Sequence, residues 1–564
     1  MMVRKLIYAV LQWKWLQPLR RRMRENHILA HLYRKVMNIT LEDIALEESA
    51  VEQILAIQNQ MIDQFVETSG LEWGRFLFVI DLQGIQDDDI GYLMRQTIDS
   101  LIELEDRNWC LLVLGKSTSH WERADERIVF NKDYITSFFD YVCELTPGST
   151  LHRCSLGMLL RQDNFGVNLY YCDHLSSDLV PTFKPQWNKE LAYSNYYMGH
   201  GCFYPLDKFM SFEHWLNFHS HYQRVLYLIE ENNTQFTHVE HLLIKEGLGL
   251  ASETADDDLL ALNRYLSTYG ANATLGLLPK TYKVRWPLPD APPLVSIIIP
   301  TKDRKDLVEQ CIQSIYTTTE YPNFEIILVD NQSYDLDANQ YFQRLQHRGR
   351  IRLYRYEKPF NYSAINNFAV TKAKGRHVIL MNNDIEVISE TWLEDMVRQL
   401  EREEVGCVGA KLYYPDNTIQ HAGVILGLGR CAGHSHKHYG REESGYMNRL
   451  KLTQNYGAVT AACLGIRKSV FNSVGGLNEA NLSVAFNDVD LCLKVQAAGY
   501  QNVWSPFIEM YHHESVSRGD DHAPEHFSRF MAEVNYMQKT WNLDNCQDPA
   551  YSPWLTIERE DFTI

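Results

Sequence analysis

The sequence predicts an α/β protein with two related units in tandem, each a mostly parallel sheet flanked by helices, after a helical N-terminal segment. Two strand patterns carry this prediction, Phe76-Leu77-Phe78-Val79-Ile80 and Val295-Ser296-Ile297-Ile298-Ile299. Each is followed by a helical stretch, an asparagine–aromatic pair (Asn108-Trp109 and Asn323-Phe324) and a second apolar strand. Strands that alternate with helices at this spacing form mostly parallel sheets, and the likeness of the two segments predicts an internal repeat.

The length of 564 residues suggests two to four domains of roughly 150 residues each. We predict a basic amphipathic helical region over 1–70, a first unit over 71–286, a second unit over 287–545 and a C-terminal tail over 546–564. The boundary before the second unit rests on prolines that exclude a helix there, namely Pro287, Pro289, Pro292 and Pro293.

Charge is unevenly distributed along the chain. The formal net charge of −18 would repel a phosphate backbone, which argues against general nucleic-acid binding. Residues 1–36, however, contain nine Lys and Arg residues against Glu25 alone, together with Trp13 and Trp15. Such a segment can lie on an anionic membrane surface, or it can be a basic helix packed on its own protein.

The remaining signals favour a cytoplasmic protein, peripheral on the inner face of the plasma membrane. Lys14 and Arg20 interrupt the apolar N-terminal stretch, which argues against a cleaved signal peptide, and no run reaches about 18 apolar residues. The eleven cysteines form no CxxC pair, which argues against a disulfide framework or a zinc site.

Polar residues follow the first two strands of the second unit. Pro300-Thr301-Lys302-Asp303-Arg304 comes after the first strand, and Asp330-Asn331-Gln332-Ser333 comes after the next. Open α/β sheets bind ligands at the carboxyl ends of their strands, so these groups could hold a base and a ribose. The alternative is that they are ordinary turn residues.

The third strand, Val378-Ile379-Leu380-Met381, ends in Asn382-Asn383-Asp384-Ile385-Glu386. A hard divalent cation that bridges phosphates needs one or two carboxylates at a rigid strand end, which makes Asp384 a candidate ligand. The alternative is a strand-to-helix turn in which Glu386 is solvated.

Two later motifs complete the candidate site. Asp488 and Asp490 stand at a helix start, where Asp488 could both cap the helix and act as a general base. Asp490, about 200° further around the axis, should point toward the core. Downstream, the pair His512-His513 could supply a ligand to a metal such as manganese, and the sequence does not decide which histidine does so.

Taken in order, these motifs resemble glycosyltransferase family 2, which has the GT-A fold of nucleotide-diphospho-sugar transferases. The resemblance covers about residues 291–520. The stretches 360–367 and 420–424 also look like bacterial members that build surface polysaccharides such as O-antigen or capsule.

The resemblance implies an inverting, non-processive, metal-dependent sugar transferase that uses a nucleotide-diphosphate sugar, Mn²⁺ or Mg²⁺, and a glycan or lipid-linked glycan acceptor. It implies metal binding by Asp384 and His512, and Asp488 as the base. Asn331 and Asn383 stand where the family often has acids. This difference bears on which nucleobase the donor carries and on the dependence on a metal. The donor contacts that the resemblance implies come from Pro300, Thr301, Asp303, Asp330, Asn331, Asn367 and Asn383.

The first unit resembles the same family in decayed form. Asp81-Leu82-Gln83 replaces the usual first loop, and Tyr171-Cys172-Asp173-His174 is a poor metal motif. We therefore predict a non-catalytic partner domain. The part that looks like the acceptor half of such a domain consists of the stretch 183–188 with Tyr196, Gly199 and His200.

Other functions fit the sequence less well. A sugar-nucleotide pyrophosphorylase would need a glycine-rich, arginine-containing loop after its first strand, and a processive synthase would need membrane spans. The main alternative is a non-enzymatic glycan-binding or scaffold protein in which both units are inactive. Such a protein would be expected to lack Asp384 and Asp488, which this chain retains.

Overall fold

The structure is a computed structural model. It describes residues 48–67, 74–83, 89–115, 125–135, 139–162, 168–209, 211–231, 234–247, 255–513, 524–543 and 546–563. The basic segment 1–36 lies outside these ranges. Within them, no helix has the length and apolar character needed to cross a membrane.

The N-terminal unit is built on one nine-stranded sheet. Its strands are β1 (Phe76–Asp81), β2 (Trp109–Leu114), β3 (Ile128–Val129), β4 (Tyr141–Glu144), β5 (Thr150–Leu151), β6 (Leu169–Leu175), β7 (Pro181–Thr182), β8 (Cys202–Pro205) and β9 (Phe236–Lys245). Its helices are Ile90–Ile102, Ser155–Leu160, Lys189–Ser194, Phe212–Leu216, His221–Glu230 and Ala255–Ser267, with Glu48–Glu67 before the sheet. A hairpin of β10 (Asn272–Leu275) and β11 (Tyr282–Arg285) leads to the next unit.

The C-terminal unit is built on a ten-stranded sheet with a separate two-stranded hairpin. The strands of this unit are β12 (Val295–Thr301), β13 (Phe324–Asp330), β14 (Arg352–Arg355), β15 (His377–Met381), β16 (Ile385–Val387), β17 (Val405–Tyr413), β18 (Ile419–His421), β19 (Val424–Leu426), β20 (Ala432–His434), β21 (Gln454–Asn455), β22 (Cys463–Arg467) and β23 (Gln501–His512). Strands β19 and β20 form the hairpin. The helices are Lys305–Thr318, Leu336–His347, Tyr362–Lys372, Trp392–Leu400, Lys468–Ser473, Asn487–Ala497 and Pro524–Trp541.

The two sheets have the same strand order. The first runs β3-β2-β1-β4-β8-β6-β9-β5 with β7 paired to β6, and the second runs β14-β13-β12-β15-β22-β17-β23-β16 with β18 paired to β17. In each sheet the first four strands are parallel, and the fifth is antiparallel to both neighbours. The predicted fold of two mostly parallel sheets flanked by helices is therefore confirmed, and the predicted repeat extends through every strand of the first sheet.

Apolar periodicity explains how helices cover the second sheet. The first five residues of β12 are buried, as expected for a strand with both faces covered. The helix Lys305–Thr318 buries Leu307, Cys311, Ile312 and Ile315, which recur at helical spacing on one face. This packing fixes the strand ends, where the polar loops begin.

The strand register aligns the two units residue by residue. Phe76 pairs with Trp109 and Tyr141, as Val295 pairs with Phe324 and His377. The N-terminal unit has no acid at the positions equivalent to Asp330 and Asp384. Counting along the strands gives three equivalent positions: Leu82 for Thr301, Gly115 for Asp330 and Gly148 for Asp384.

The stretch Tyr171–His174 is not the counterpart of the Asp384 loop. It lies inside β6, which corresponds to β17, and all of it is buried. The counterpart is the turn after β4, which includes Gly148. Likewise the helix His221–Glu230 corresponds to Asn487–Ala497, and its first turn contains no acid.

Buried polar contacts join the two units. The Arg402 guanidinium donates to the Glu190 carboxylate at 2.6 Å, and both side chains are almost fully buried. The C-terminal tail also bridges the units. Trp554 Nε1 donates to the backbone oxygen of Glu240 at 2.8 Å, while Phe562 joins the core of the C-terminal unit.

Candidate active site

The loops that end β12 and β13 are tied to each other. The Asp303 carboxylate accepts from the backbone N–H groups of Tyr334 and Asp335, each at 2.8 Å. Asp330 is buried and accepts from Ser333 N at 2.9 Å and from Arg355 at 2.5 Å. Asp303 and Asp330, two residues predicted to contact the sugar-nucleotide donor, therefore hold the loops that end β12 and β13 in place.

Further predicted donor residues belong to the same edge. Pro300 lies in β12 opposite Val329, one residue before Thr301. The Asn331 amide donates to the backbone oxygens of Tyr356, at 3.1 Å, and Lys358, at 2.8 Å. Both amide hydrogens of Asn331 are thus used within the protein, which leaves its carbonyl oxygen as the group able to face a ligand.

Asn383 connects this edge to the candidate metal ligand. Its amide donates to the Thr301 hydroxyl at 2.9 Å, which joins the ends of β12 and β15. The next residue, Asp384, is buried, and its backbone oxygen accepts from His513 N at 2.9 Å. The loop predicted to contact the sugar-nucleotide donor and the loop predicted to bind the metal are therefore in contact.

Asp384 and His512 lie side by side at the ends of different strands. Asp384 Oδ1 and His512 Nε2 are 3.1 Å apart, and both side chains are buried. His512 Nδ1 contacts Gln420 Oε1 at 2.6 Å, and because an amide oxygen can only accept, the hydrogen lies on Nδ1. The Nε2 lone pair of a neutral His512 is therefore turned toward the carboxylate and the Asn382 amide, which lies 3.2 Å from it.

This pair fits a divalent cation. Two lone-pair atoms at this distance repel each other unless a proton or a cation lies with them. Adjacent ligands of an octahedral ion, each about 2.1 Å from it, are about 3 Å apart, close to the observed separation. Within the described residues no three His, Cys, Asp or Glu side chains converge, so the remaining positions would fall to water and substrate phosphates, as is usual for magnesium.

His513 has a different partner. Its Nε2 lies 2.9 Å from Glu386 Oε2, which also accepts from Gln310 at 2.7 Å. The structure thus places the side chain of His512, and not that of His513, beside the Asp384 carboxylate. Glu386 is engaged in this contact, where the sequence left open a solvated side chain.

Asp488 lies at the start of its helix, close to the Asp384 loop. Its carboxylate accepts from the Thr460 hydroxyl at 3.0 Å and from Ala461 N at 2.9 Å. The backbone oxygen of the next residue, Ala462, accepts from Asn382 N at 3.0 Å, two residues before Asp384. The turn 460–462 therefore links the candidate base to the candidate metal loop.

Asp490 points the other way, as its helical position predicts. It is buried, accepts from Trp541 Nε1 at 3.0 Å and lies 2.9 Å from Lys494 Nζ. Its carboxylate is thus held in an ion pair on the opposite side of the helix from Thr460.

Asn367 is placed apart from the other predicted donor residues. Its side-chain amide donates to the backbone oxygen of Leu477 and accepts from the N–H of the same residue, both at 2.9 Å. It lines a cavity together with Asp490 and Trp541, and none of the other predicted donor residues lines that cavity. The donor contact of Asn367 stays a prediction, and in the structure this side chain fixes the loop that carries Leu477.

Three residues near the site were not predicted from the sequence as site residues, and two of them lie in β18. Gln420 fixes the tautomer of His512, as described above. The next residue, His421, is buried and accepts from Thr460 N through Nε2 at 3.4 Å, while its Nδ1 contacts His434 Nδ1 at 2.8 Å. Burial, and then the nearby His434 and His512, hold the pKa of His421 well below its ordinary value, so it stays neutral. Strand β18 therefore contacts both sides of the site.

Arg304 is the third such residue. It and Asp303 both adopt positive φ, +47° and +53°, a conformation that non-glycine residues rarely hold outside functional sites and turns. The Arg304 guanidinium donates to Asp306 at 2.9 Å, and this hydrogen bond, with smaller contributions from the charges of Asp306 and Asp384, raises the pKa of Arg304. The sequence signal for Arg304 was only that a basic residue lies in the loop after the first strand of the second unit.

Comparison with known proteins decides the family of this unit. Residues 296–475 match the family model described as "Glycosyl transferase family 2". The C-terminal unit carries a family 2 glycosyltransferase domain. The matched range of the family 2 domain includes Asp384 and ends before Asp488 and His512.

Curated relatives of the chain include bacterial proteins of greater length. The chain is 46% identical over 399 residues to "Uncharacterized protein y4gI" of Sinorhizobium fredii, covering 68% of this chain and 44% of that protein. It is 37% identical over 320 residues to "O-antigen biosynthesis protein RfbC" of Myxococcus xanthus, covering 56% and 24%. The chain therefore spans less than half the length of these two relatives.

Solved structures with a partial likeness to the chain include the following two. One is a mannosyltransferase from Pyrobaculum calidifontis in complex with GDP-Man and Mn²⁺, at 18% identity and a TM-score of 0.32, covering 46% of this chain and 75% of that chain. The other is GalNAc-T7 with UDP, GalNAc and Mn²⁺, at 14% identity and a TM-score of 0.37, covering 48% and 52%.

Proposed function

We propose that the family 2 domain moves a sugar from a nucleotide-diphosphate sugar to a glycan or lipid-linked glycan. The transfer would invert the anomeric configuration and would be non-processive. The observation that carries this proposal is that Asp384 lies beside His512, while Asp488 is hydrogen-bonded to the turn 460–462, which also contacts the Asp384 loop. A carboxylate and an imidazole 3.1 Å apart can hold a cation, and a second carboxylate nearby can take a proton.

The donor would lie along the edge formed by β12, β13 and β15. Asp303, Asp330 and Asn331 would face the nucleoside, and Thr301 and Asn383 would line the path toward the diphosphate. Asp384 and His512 would hold Mn²⁺ or Mg²⁺, which when bound neutralises charge on the diphosphate as it leaves. Arg304, near Asp384, would add a positive charge at the same place.

Asp488 would accept the proton of the attacking hydroxyl. In an inverting transfer the acceptor oxygen forms a bond to the anomeric carbon while the bond to the nucleotide diphosphate breaks, and the hydroxyl proton passes to a carboxylate oxygen. The hydrogen bonds from Thr460 and Ala461 hold this carboxylate in one orientation. They thereby keep it ready for a substrate hydroxyl without movement of the helix.

A panel of nucleotide sugars tests the activity. The full chain is incubated with each donor and Mn²⁺, and release of nucleotide diphosphate is measured with and without extracts that contain lipid-linked glycans. We expect one donor to be used well above the rest, and the anomeric configuration of the product, read by NMR, to be inverted. Retention of configuration, or no release from any donor, would contradict the proposal.

The cation is tested separately by calorimetry. Because one carboxylate offers too little charge to neutralise a diphosphate, we expect nucleotide diphosphate to bind only when Mn²⁺ or Mg²⁺ is present. Equal affinity in the presence of a chelator would assign phosphate neutralisation to Arg and Lys side chains instead.

The acceptor and the cellular setting are inferred from relatives and from residues 1–36. A relative named for O-antigen biosynthesis, and a shorter match at 30% identity to "Putative teichuronic acid biosynthesis glycosyltransferase TuaG" of Bacillus subtilis, support a role in cell-surface polysaccharide synthesis. Residues 1–36 would bring the enzyme to the cytoplasmic face of a membrane, where lipid-linked acceptors are found.

Sedimentation with anionic vesicles tests this attachment. Binding of the full chain should weaken as salt rises, because screening shortens the reach of each Lys and Arg. If a chain lacking residues 1–36 sediments as well as the full chain does, the segment is not the anchor.

The N-terminal unit would be a non-catalytic partner. Gly115 and Gly148 stand at the positions of Asp330 and Asp384, so the unit lacks acids for a nucleoside and a cation there. Contacts internal to the unit engage other acids near its sheet: Arg224 forms an ion pair with Glu144 at 2.5 Å, and His174, whose pKa burial lowers to about 4, lies 2.7 Å from Glu246 as a neutral imidazole.

A further inference from the structure

An open cavity of about 520 Å³ lies beside the helix Asn487–Ala497, on the side that carries Asp490. This volume is within the range of about 300–1,000 Å³ that ligand sites occupy. The candidate active site with Asp384, His512 and Asp488, called here the strand-end site, lies on the other side of the helix, where Asp488 accepts a hydrogen bond from Thr460. The cavity residues that carry the argument are Asn478, Glu479, Asp490, Lys494, Tyr536 and Trp541.

The polar groups of the cavity wall are held in place by one another. Asp490 accepts from Trp541 Nε1 at 3.0 Å and lies 2.9 Å from Lys494 Nζ. On the facing loop, the Asn478 amide donates to the Tyr536 hydroxyl at 2.8 Å. The wall is therefore organised before any ligand binds, which lowers the ordering cost of binding.

Several hydrogen-bonding groups of the wall remain available. The Lys494 ammonium has three N–H groups, and within the described residues it pairs with Asp490 and donates to the backbone oxygen of Gly476. The Tyr536 hydroxyl accepts from Asn478, and no described residue accepts its proton. Glu479 is exposed at the rim and can accept. The cavity thus offers both donors and acceptors beside an indole and a phenol ring.

This combination suits a carbohydrate. Sugar hydroxyls both donate and accept, and the apolar faces of sugar rings pack against aromatic side chains. The charges of Asp490 and Lys494 cancel, so Glu479 leaves the wall with one net negative charge, which disfavours an anionic ligand.

We propose that this cavity binds an uncharged stretch of the acceptor glycan, as a subsite separate from the strand-end site. The inference rests on the proposed transferase function. Asp488 and Asp490 are two residues apart on one helix, and a helix is about 10 Å across with its side chains. A glycan held in the cavity would therefore be kept close to the base, which favours transfer to an acceptor of more than one sugar.

A blocking substitution with a matched control tests the subsite. Thr540 lines the cavity from an exposed position on the helix Pro524–Trp541, so Thr540→Arg should fill the opening without disturbing the core. Asn535 is exposed on the same helix and does not line the cavity, so Asn535→Arg makes a comparable change outside it. Tyr536→Phe removes only the hydroxyl.

The probe is an array of short uncharged oligosaccharides, followed by calorimetric titration of the tightest binder. We expect Thr540→Arg to weaken binding roughly tenfold or more, Tyr536→Phe to weaken it less, and Asn535→Arg to leave it unchanged. Undiminished binding by Thr540→Arg, or no binding of any array member by the unaltered chain, overturns the proposal.

Nucleotide binding keeps this test distinct from that of the transferase function. With Mn²⁺ and nucleotide diphosphate as the probe, Thr540→Arg should bind as the unaltered chain does. If the unaltered chain binds the glycan but no nucleotide, the transferase proposal fails while the carbohydrate site stands. If Thr540→Arg loses nucleotide as well, the cavity is not a separate subsite.

Discussion

The two units of this protein share a sheet topology and differ in the chemistry at its edge. In the C-terminal unit, strand ends carry Asp330 and Asp384, and His512 from a third strand lies against Asp384. In the N-terminal unit, glycines stand at the two positions equivalent to the acids. Strand order alone therefore does not make a site, because the same scaffold can carry either arrangement.

The glycines of the N-terminal unit are also held by their surroundings. Gly148 has a φ of +89°, and a Cβ placed on it would lie 2.9 Å from Leu93 Cδ2. Gly115 has a φ of +99°, and a Cβ there would lie 2.9 Å from Gln83 N. An aspartate at either position would be strained by the positive φ, so regaining either acid by a single substitution would carry a conformational cost.

Removing the carboxylate that distinguishes the two units should have the strongest consequence. Asp384→Asn keeps the size of the side chain but removes its charge, so cation-dependent nucleotide binding and transfer should fall, with transfer reduced roughly a thousandfold. Asp81→Asn makes the same substitution at an exposed strand end of the N-terminal unit, at the position equivalent to Pro300, and should leave transfer unaltered. Transfer assays and calorimetry on both variants check this, and equal effects would contradict the contrast between the units.

Loss of the candidate base, Asp488, should cause the second-largest reduction in transfer. Asp488→Asn removes basicity and can still accept a hydrogen bond from Thr460 or Ala461, so folding and donor binding should stay nearly intact. Turnover, measured at saturating donor, should fall on the order of a hundredfold or more.

The control for Asp488→Asn is Tyr222, the second residue of the helix His221–Glu230. Asp488 is the second residue of the equivalent helix, Asn487–Ala497. Tyr222 donates to the backbone oxygen of Tyr193 at 3.0 Å, and Tyr222→Phe should not change transfer. Near-normal rates for Asp488→Asn would exclude it as the base, and loss of donor binding would make Asp488 a structural or metal residue.

The strands and acids of the C-terminal unit could be predicted from the sequence because they depend on local patterns. Apolar runs such as 326–329 read as buried strands by themselves, and an acid directly after such a run, as Asp330 is, is expected at the carboxyl end of the strand. The choice of Asp488 over Asp490 likewise follows from helix geometry, and the structure places Asp490 in an ion pair with Lys494.

Long-range contacts could not be predicted in this way. Gln420 and His512 are 92 residues apart, and only the pairing of β17 with both β18 and β23 brings them together. The place of Asn367 depends on a loop 110 residues away. In the N-terminal unit, β4 is four residues long and has no distinctive pattern, so the turn that corresponds to the Asp384 loop could not be recognised from the sequence.

A smaller change is expected from Gln420. Gln420→Leu removes the oxygen that fixes the His512 tautomer, so the affinity for Mn²⁺ in the presence of nucleotide should fall roughly ten- to a hundredfold. Gln420→Glu restores an acceptor and should recover most of that affinity. A purely structural role would show instead as a loss of thermal stability without a change in the Mn²⁺ dependence of transfer.

Breaking an ion pair of the N-terminal unit should change transfer least. Glu144 accepts from Arg224 at 2.5 Å; burial acts to raise the pKa of Glu144, but His221 and Arg224 outweigh it and hold that pKa below its ordinary value. Glu144→Gln should therefore lower the free energy of unfolding by about 1.5–3 kcal/mol at neutral pH. Transfer per folded molecule should be unchanged.

The pH dependence of this loss identifies its cause. A lowered pKa gives stability that is present above the unfolded pKa and lost as the pH falls through the folded pKa. The difference in unfolding free energy between Glu144→Gln and the unaltered chain, measured by denaturant unfolding, should therefore shrink on acidification below about pH 4.5. A loss of transfer that exceeds the loss of folded protein would mean that the N-terminal unit takes part in the reaction, and the contrast between the two units would then need another explanation.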